Sequence, residues 1–315
     1  MSGADLAQWE KALGEKIHDV RNYRRYRLLE TDSGKWVVKA SRHPFHLRWW
    51  AWVDRELRQR GFDRMPLYRT DGCKWLLTAW VDAQPATYQN PGDIRKAAGL
   101  LSRFHRAGRG LLTPPSSFHS HLLEERIESR YRSFSLLMKN VTETKGEFGD
   151  LLRQYGPVFL QFGNEARRRL KGMPLKNLIQ WERGMRCLTH RDLACHNFLI
   201  DRKGEGWLID FETAEYDAQV GDLWQLLSRA LTVQRWDAFL FSEILRVYES
   251  HRPLTPVERG ILAILLGFPN EFLRESLGLA LNKKGYACDK TLPYLERIAQ
   301  TLPRYREFLH RWAGW

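Results

Sequence analysis

At 315 residues the chain can bury a sizeable core as two lobes or domains, and its 43% apolar and 28% charged residues are those of an ordinary globular protein. No run of about 18 apolar residues occurs, which argues against a membrane-spanning helix. The four cysteines (Cys73, Cys187, Cys195, Cys288) form no CxxC pair, which argues against a disulfide framework or a zinc site. A net charge of +13 could attract nucleic acid, an anionic polymer or nucleotide phosphates. The basic residues are spread along the chain, however, with only short clusters such as Arg24-Arg25 and Arg167-Arg168-Arg169. There is no basic tail and no nucleic-acid module, so most of this charge reads as solvated surface.

The first residues, MSGADLAQWEKALGEKI, read as an amphipathic helix over 5–18 without the apolar core of a signal peptide, so a cytoplasmic location is expected. Residues 23–31 and 35–40, around Asp32-Ser33-Gly34, predict a β-hairpin. Lys39 ends its apolar Trp36-Val37-Val38 strand and is either a snorkelling edge lysine or a functional charge. A helix over 44–60 follows, with Gly61 as its C′ glycine. At about 100° per residue, Trp52, Val53 and Glu56 fall within about 60° of Trp49, while Asp54 lies on the far side. Glu56 then sits on an apolar face, which is costly unless it is paired, and Lys39 is the nearest candidate. A second strand pair, 66–70 and 74–81, crosses Asp71-Gly72. The polar, proline-bearing connection over 82–92 marks the lobe boundary. Residues 1–80 then form a small sheet with one long helix, and 81–315 are mostly helical.

In the helical part Ile94, Ala97, Ala98, Leu101, Phe104 and His105 share i, i+3, i+4 spacing, which makes His105 a core or interlobe residue. After a 113–117 loop, two Arg-rich helical stretches are predicted over 118–140 and 147–170, with breaks at Lys145-Gly146 and Gly156-Pro157. Residues 188–223 concentrate the chemistry. Two strand-like runs, 197–200 and 206–209, flank the charged turn 201–205, with Asp192 before the hairpin and Asp210 after it. Together with Asn197 these carboxylates form an oxygen-rich cluster. Mg²⁺ carrying polyphosphate needs such a cluster, because it takes few protein oxygens and completes its shell with phosphate and water. Phosphoryl transfer also needs a base or orienting group for the attacking hydroxyl. Cys195, inside the same stretch, reads as a space-filling residue. Asp222 is predicted to cap the next helix, and helices over 236–251, 256–266, 270–283 and 292–312 complete the chain. Trp is abundant, at 13 residues, mostly at core spacing or near the chain end.

A strand lysine, a helix glutamate, a hinge, and H-x-D-x4-N followed by I-D-F make a kinase pattern. The chain resembles the aminoglycoside phosphotransferase and choline kinase superfamily over nearly its full length. His190-Arg191-Asp192-Leu193-Ala194-Cys195-His196-Asn197 is similar to that superfamily's catalytic loop. Leu208-Ile209-Asp210-Phe211-Glu212 is similar to its metal-binding strand end, Gly221-Asp222-Leu223 to its downstream Asp-Leu, and Leu101 to Gly108 to its L-x-x-F-H-x-x-G helix. Within the superfamily the chain most resembles the CotS-type spore-coat kinases. That narrower resemblance rests on Arg21-Asn22-Tyr23, on Leu57…Gly61-Phe62, and on Gly267-Phe268-Pro269-Asn270…Phe272 through Arg304-Tyr305-Arg306-Glu307-Phe308-Leu309.

The resemblance implies an α+β, protein-kinase-like two-lobed fold: a nucleotide-binding N-lobe over 1–80 and a helical C-lobe over 81–315, with an acceptor-binding insert at about 116–180. It implies ATP and Mg²⁺ as cofactors and a hydroxyl-bearing small molecule or sugar as acceptor. Asp192 would take or orient the acceptor's hydroxyl proton. Asn197 and Asp210 would hold Mg²⁺, and Lys39, steadied by Glu56, would touch the α/β-phosphates. The backbone at Trp80 and Val81 would meet adenine, and Asp222 and His190 would brace the loop. The turn over the phosphates lacks G-x-G-x-x-G and carries Asp19-Val20-Arg21-Asn22 in its place. Counted back from Gly61, the superfamily's glutamate falls near Trp49 or Trp50, so Glu56 is either a substitute or a coincidence. Glu212 in place of a glycine, with no A-P-E segment, argues against a protein kinase. Two alternatives stay open: a spore-coat scaffold with little activity, partnered by coat proteins or an anionic polymer, and a choline- or ethanolamine-type kinase. The Arg-bearing insert helices imply an acidic or polyhydroxyl acceptor.

Overall fold

The computed structural model describes residues 3–23, 26–41, 43–116 and 121–315. The Arg24-Arg25 pair and residues 117–120, where the predicted loop meets the predicted 118–140 helix, lie outside them.

Helix α1 (Gly3–Leu13) precedes a five-stranded antiparallel sheet of order β1–β2–β3–β5–β4. Its strands are β1 (Ile17–Tyr23), β2 (Tyr26–Thr31), β3 (Gly34–Ala40), β4 (Tyr68–Thr70) and β5 (Trp75–Ala79). Alternation along the strands sends Leu29, Trp36, Val38 and Leu77 to one face, where they enclose Trp9 of α1 in a small separate core. The expected turn at Asp19–Asn22 is not a turn. Asp19 pairs with Glu30 and Asn22 with Arg27, and the ladder runs on to Tyr23 opposite Tyr26. The ladder leaves no reversal within Asp19–Asn22.

Helix α2 (Pro44–Gln59) is ended by Gly61 at φ +81°, as expected of a C′ glycine. Its buried stripe centres on Trp50 rather than Trp49. Trp52 is consequently 62% exposed, and Asp54, expected on the far side, is buried. Asp54 accepts two hydrogen bonds from Arg58, at 3.0 and 3.1 Å, and Arg58 also donates to the carbonyls of Met65 and Pro66. Leu47, Trp49, Trp50, Val53 and Leu57 belong to the large apolar core shared with the helical part.

The connection after β5 contributes a strand, β6 (Ala83–Pro85), which the polar reading of this segment had concealed. It pairs with β8 (Phe198–Asp201), which pairs in turn with β9 (Gly206–Leu208). Strands β7 (Leu188–Thr189) and β10 (Glu215–Tyr216) form a second small pair. Helix α3 (Pro91–Ala107) is capped by Asn90, whose side chain accepts from the Gly92 N–H. Gly108 follows it at ordinary φ; its packing reason is proximity, since a Cβ there would lie 2.9 Å from Cβ of Leu188.

Helices α4 (Leu123–Lys139) and α5 (Gly146–Lys171) follow, joined by a short 3₁₀ turn over Val141–Glu143. The expected break at Gly156-Pro157 is absent. α5 runs through it, because a helix whose buried face is packed can tolerate the lost hydrogen bond at proline. Gly156 sits where α4 comes close: a Cβ there would lie 2.4 Å from Met138 Sδ. Helix α6 (Leu175–Gly184) was not expected. After the hairpin come α7 (Val220–Val233), α8 (Ala238–Glu249), α9 (Pro256–Leu266) and α10 (Asn270–Ala280). The single helix expected over 292–312 is two, α11 (Cys288–Gln300) and α12 (Leu302–Trp312), because Pro303 starts a new helix.

Candidate functional site

The loop between β7 and β8 carries His190 to Asn197, and neighbouring elements hold it from below. Asp222 does not cap α7, whose N-cap is Gln219; its side chain turns inward, fully buried, from the first turn. There it accepts the backbone N–H of His190 at 2.6 Å and of Arg191 at 2.9 Å. His105 completes the arrangement: Nε2–H donates to Asp222 at 3.1 Å, and Nδ1 accepts the Tyr248 hydroxyl at 2.7 Å. That pattern needs a neutral imidazole. Burial pushes His105 below its ordinary value despite the pull of Asp222. Burial raises the Asp222 carboxyl, but the His105 contacts and the His190 N–H outweigh it and leave the group below the usual range.

Both shifts have the same sign for stability. Asp222 contributes above the unfolded carboxylate value of about 3.9 and loses that contribution as pH falls through its lower folded value. His105, neutral when folded, is protonated in the unfolded chain below about pH 6.5, so stability also declines as pH drops from there. A urea midpoint lower at pH 5.5 than at pH 7.5 is the expected result, and an equal or higher midpoint contradicts it.

Thr213 Oγ1 donates to the His190 carbonyl at 2.9 Å, and Gln225 Oε1 accepts the Leu193 N–H at 2.9 Å. The Tyr88 hydroxyl donates to the Leu193 carbonyl. His190 Nε2 donates to the Ile209 carbonyl at 2.9 Å, which ties the loop to the end of β9. Arg191 adopts φ +71°, a rare state for a non-glycine residue, and is held by its ion pair with Glu215 at 2.8 Å. At the loop's surface Asp192 stays half-exposed. Asn197 is buried and donates Nδ2 to the Asp192 carbonyl at 2.8 Å and to its Oδ2 at 3.2 Å.

Asp210 follows β9, also left-handed, at φ +68°. Lys39 reaches it from β3: Nζ lies 2.8 Å from Asp210 Oδ1 and 3.0 Å from Glu212 Oε1. Burial lowers the Lys39 ammonium, but the two carboxylates more than offset this and raise it above the usual lysine value. The expected Lys39–Glu56 pair does not form. Glu56 instead pairs with Arg60 at 2.6 Å and accepts the N–H groups of Leu112 and Thr113. Trp49 and Trp50, where the superfamily's glutamate was expected, pack on the segment that follows β9. Trp50 stacks on Phe211 at 4.3 Å, and Trp49 meets Tyr216 edge-on at 5.4 Å. His46 contacts the Phe211 carbonyl at 3.2 Å. The partners of Lys39 are Asp210 and Glu212, the latter standing where a protein kinase would carry glycine.

Among the described residues no group of three His, Cys, Asp or Glu side chains could hold a metal alone. The donor set suits Mg²⁺, which takes one or two carboxylates and draws its remaining ligands from phosphate and water. Because the amide nitrogen of Asn197 is spent on Asp192, its oxygen is the end left for a cation. At the hinge, Trp80 N–H donates to the Lys35 carbonyl at 2.8 Å, and the Val81 carbonyl accepts from Ala83 N–H at 2.9 Å. Among the described residues, the Trp80 carbonyl and the Val81 N–H take no hydrogen-bond partner. Asn22 is exposed on β1.

The phosphotransferase enzyme family matches residues 15–260. The chain is 23% identical over 263 residues to spore coat protein S of Bacillus subtilis (strain 168), covering 78% of this chain and 74% of that protein. A solved aminoglycoside phosphotransferase from Alicyclobacillus acidocaldarius superposes with a TM-score of 0.81 at 20% identity, over 97% of this chain and 95% of the other. Spectinomycin phosphotransferase, solved with ADP and spectinomycin, gives 0.65 at 11% identity over 98% and 99%. A choline kinase from Streptococcus pneumoniae gives 0.56 at 14% over 96% and 98%. At these identities the solved structures speak to the fold.

Proposed function

The chain belongs to the phosphotransferase enzyme family, and within it we propose an ATP- and Mg²⁺-dependent kinase that phosphorylates a hydroxyl of a small molecule or sugar. The observation that carries this reading is the meeting of Lys39, from the sheet, with Asp210 at the end of the catalytic hairpin, 171 residues away in sequence. Residues 1–80 would supply the nucleotide half and 81–315 the catalytic half. Trp80 and Val81 would read the adenine edge. Lys39 would exchange Asp210 for the α/β-phosphates, and Asn197 and Asp210 would hold Mg²⁺, which supplies charge neutralisation on the phosphates. Asp192, oriented by Asn197, would accept the acceptor's hydroxyl proton. Catalysis of this kind is mostly positioning and electrostatics. Glu56 has no part in it beyond fixing the 112–113 segment, and Asn22 would reach nucleotide only from the strand edge.

Millimolar Mg-ATP is expected to raise the melting temperature of the wild-type chain through ligand linkage, and Lys39→Met and Asp210→Asn are expected to abolish that rise. A flat wild-type response would favour a second reading, a coat scaffold with little activity. That reading draws on the similarity to a protein named for the spore coat, and it would place the chain there with other coat proteins or an anionic polymer. A choline-type kinase finds less support, because a chain of net charge +13 repels a cationic acceptor.

A further inference from the structure

Where the end of α2 meets the C-terminal end of α3, the surface folds into a cavity of about 450 Å³. Four arginines line it, Arg60, Arg64, Arg103 and Arg106, and Asp63 is the one acid among the described residues of the lining. None of Lys39, Asp192, Asn197 or Asp210 takes part. Phe62, buried, gives it an apolar wall. Like charges gathered around a cleft with low-dielectric walls concentrate the field, and with it the counter-ions.

The four guanidiniums are not equivalent. Arg60 is fully engaged: it pairs with Glu56 at 2.6 Å and donates to the carbonyls of Ala107, Arg109 and Gly110 at 3.4, 2.6 and 2.7 Å. Arg64 is partly engaged, with Nη2 3.3 Å from Glu205 Oε2 and its guanidinium 5.7 Å from the centre of the Trp207 ring. Asp63 is 78% exposed and reaches Arg64 Nε only at 3.9 Å. Arg103, half-buried, and Arg106, exposed, form no hydrogen bond or ion pair with any described residue. They stand at i and i+3, on one face of α3, and both reach the cavity from the solvent side. Basic residues near a helix C-terminus ordinarily answer its partial negative charge. Here Arg60, reaching across from α2, already holds three carbonyls at and just past that end, so that task is filled without them.

We propose that this cavity is a binding site for a compact anion carrying at least two phosphate groups, one for each of the open forks of Arg103 and Arg106. A planar guanidinium matches a phosphate with two parallel N–H···O bonds. Arg64 supplies further positive charge from the opposite wall. The volume suits a small molecule, whereas a nucleic-acid strand needs a basic groove along which successive phosphates can track. The site lies outside the catalytic constellation and stands independently of the kinase reading.

The test is calorimetric titration of the full chain with pyrophosphate, free of divalent cations and at matched ionic strength, with sulfate as the control. Pyrophosphate is expected to bind more tightly than sulfate. The double variant Arg103→Gln/Arg106→Gln should weaken it about 10- to 100-fold, the worth of a charge-assisted hydrogen bond or two. Neither side chain has a partner to lose, so the urea midpoint should stay at the wild-type value. Arg103→Lys/Arg106→Lys, which keeps the charge without the forks, should retain part of the affinity. Lys39→Met, in the candidate nucleotide site, should leave it unchanged. Pyrophosphate bound no better than sulfate, an affinity unmoved in the double glutamine variant, or one lost in Lys39→Met instead overturns the proposal. Binding of a single-stranded oligonucleotide without binding of pyrophosphate also overturns it, and would make this face a polymer surface.

Discussion

An Asp192→Asn chain is expected to transfer phosphate about 10²- to 10⁴-fold more slowly than the wild type, the range for loss of a positioned acid or base. Asparagine keeps the size of the side chain and can still accept from Asn197, which holds the wild-type carboxylate at 3.2 Å. What it loses is the capacity to take a proton and the negative charge beside Arg229. Nucleotide affinity should change little, because the groups assigned to the phosphates, Lys39 and Asp210, sit on other elements. Single-turnover measurement of ADP formation, alongside Mg-ATP binding, separates the two effects. Transfer at the wild-type rate would remove the base from Asp192.

The second large effect is on stability. Asp222→Ala should cost about 3–5 kcal/mol, the range for removing one partner from a buried charged set. The substitution strands two backbone N–H groups, those of His190 and Arg191, together with the Nε2–H of His105. None of these positions is open to water, since all three residues are buried. Transfer should fall as well, because the loop that presents Asp192 loses its floor. Urea denaturation reads the first effect, and a loss below about 1 kcal/mol would show that the loop is held by its other bonds. Asp222→Asn is the milder comparison: it can still accept one N–H but brings its own donors into a pocket built of donors.

These two carboxylates mark how far the sequence could be read. The spacing from His190 to Asp210 was enough to place the loop and the hairpin, because both depend on local order, whereas the contact of Lys39 with Asp210 was not foreseen. Partners set by tertiary packing were not legible. Glu56 looked like the mate of Lys39 on a helical wheel, but a wheel gives only angle, and the α2 stripe is rotated so that Trp50 faces Phe211. Asp222 resembled an N-cap because it is an acid at a helix start; its true role required knowing that the His190–Arg191 backbone lies against that helix. Pro157 resembled a break because propensity is a local property, whereas the packing of α5 on α4 is not.

The pairing of β6 with β8 has a mechanical consequence. Trp80 N–H is still bonded into the five-stranded sheet, and Ala83 already belongs to the ladder of the catalytic hairpin. Only Val81 and Asp82 lie between these two hydrogen-bonded frames. Two residues span about 7 Å at full extension and offer a handful of rotatable torsions. At this crossing the sheet can pivot over the hairpin but cannot slide across it. The open Trp80 carbonyl and Val81 N–H sit on that pivot, so a base docked there would also fix the angle at which Lys39 is presented to Asp210.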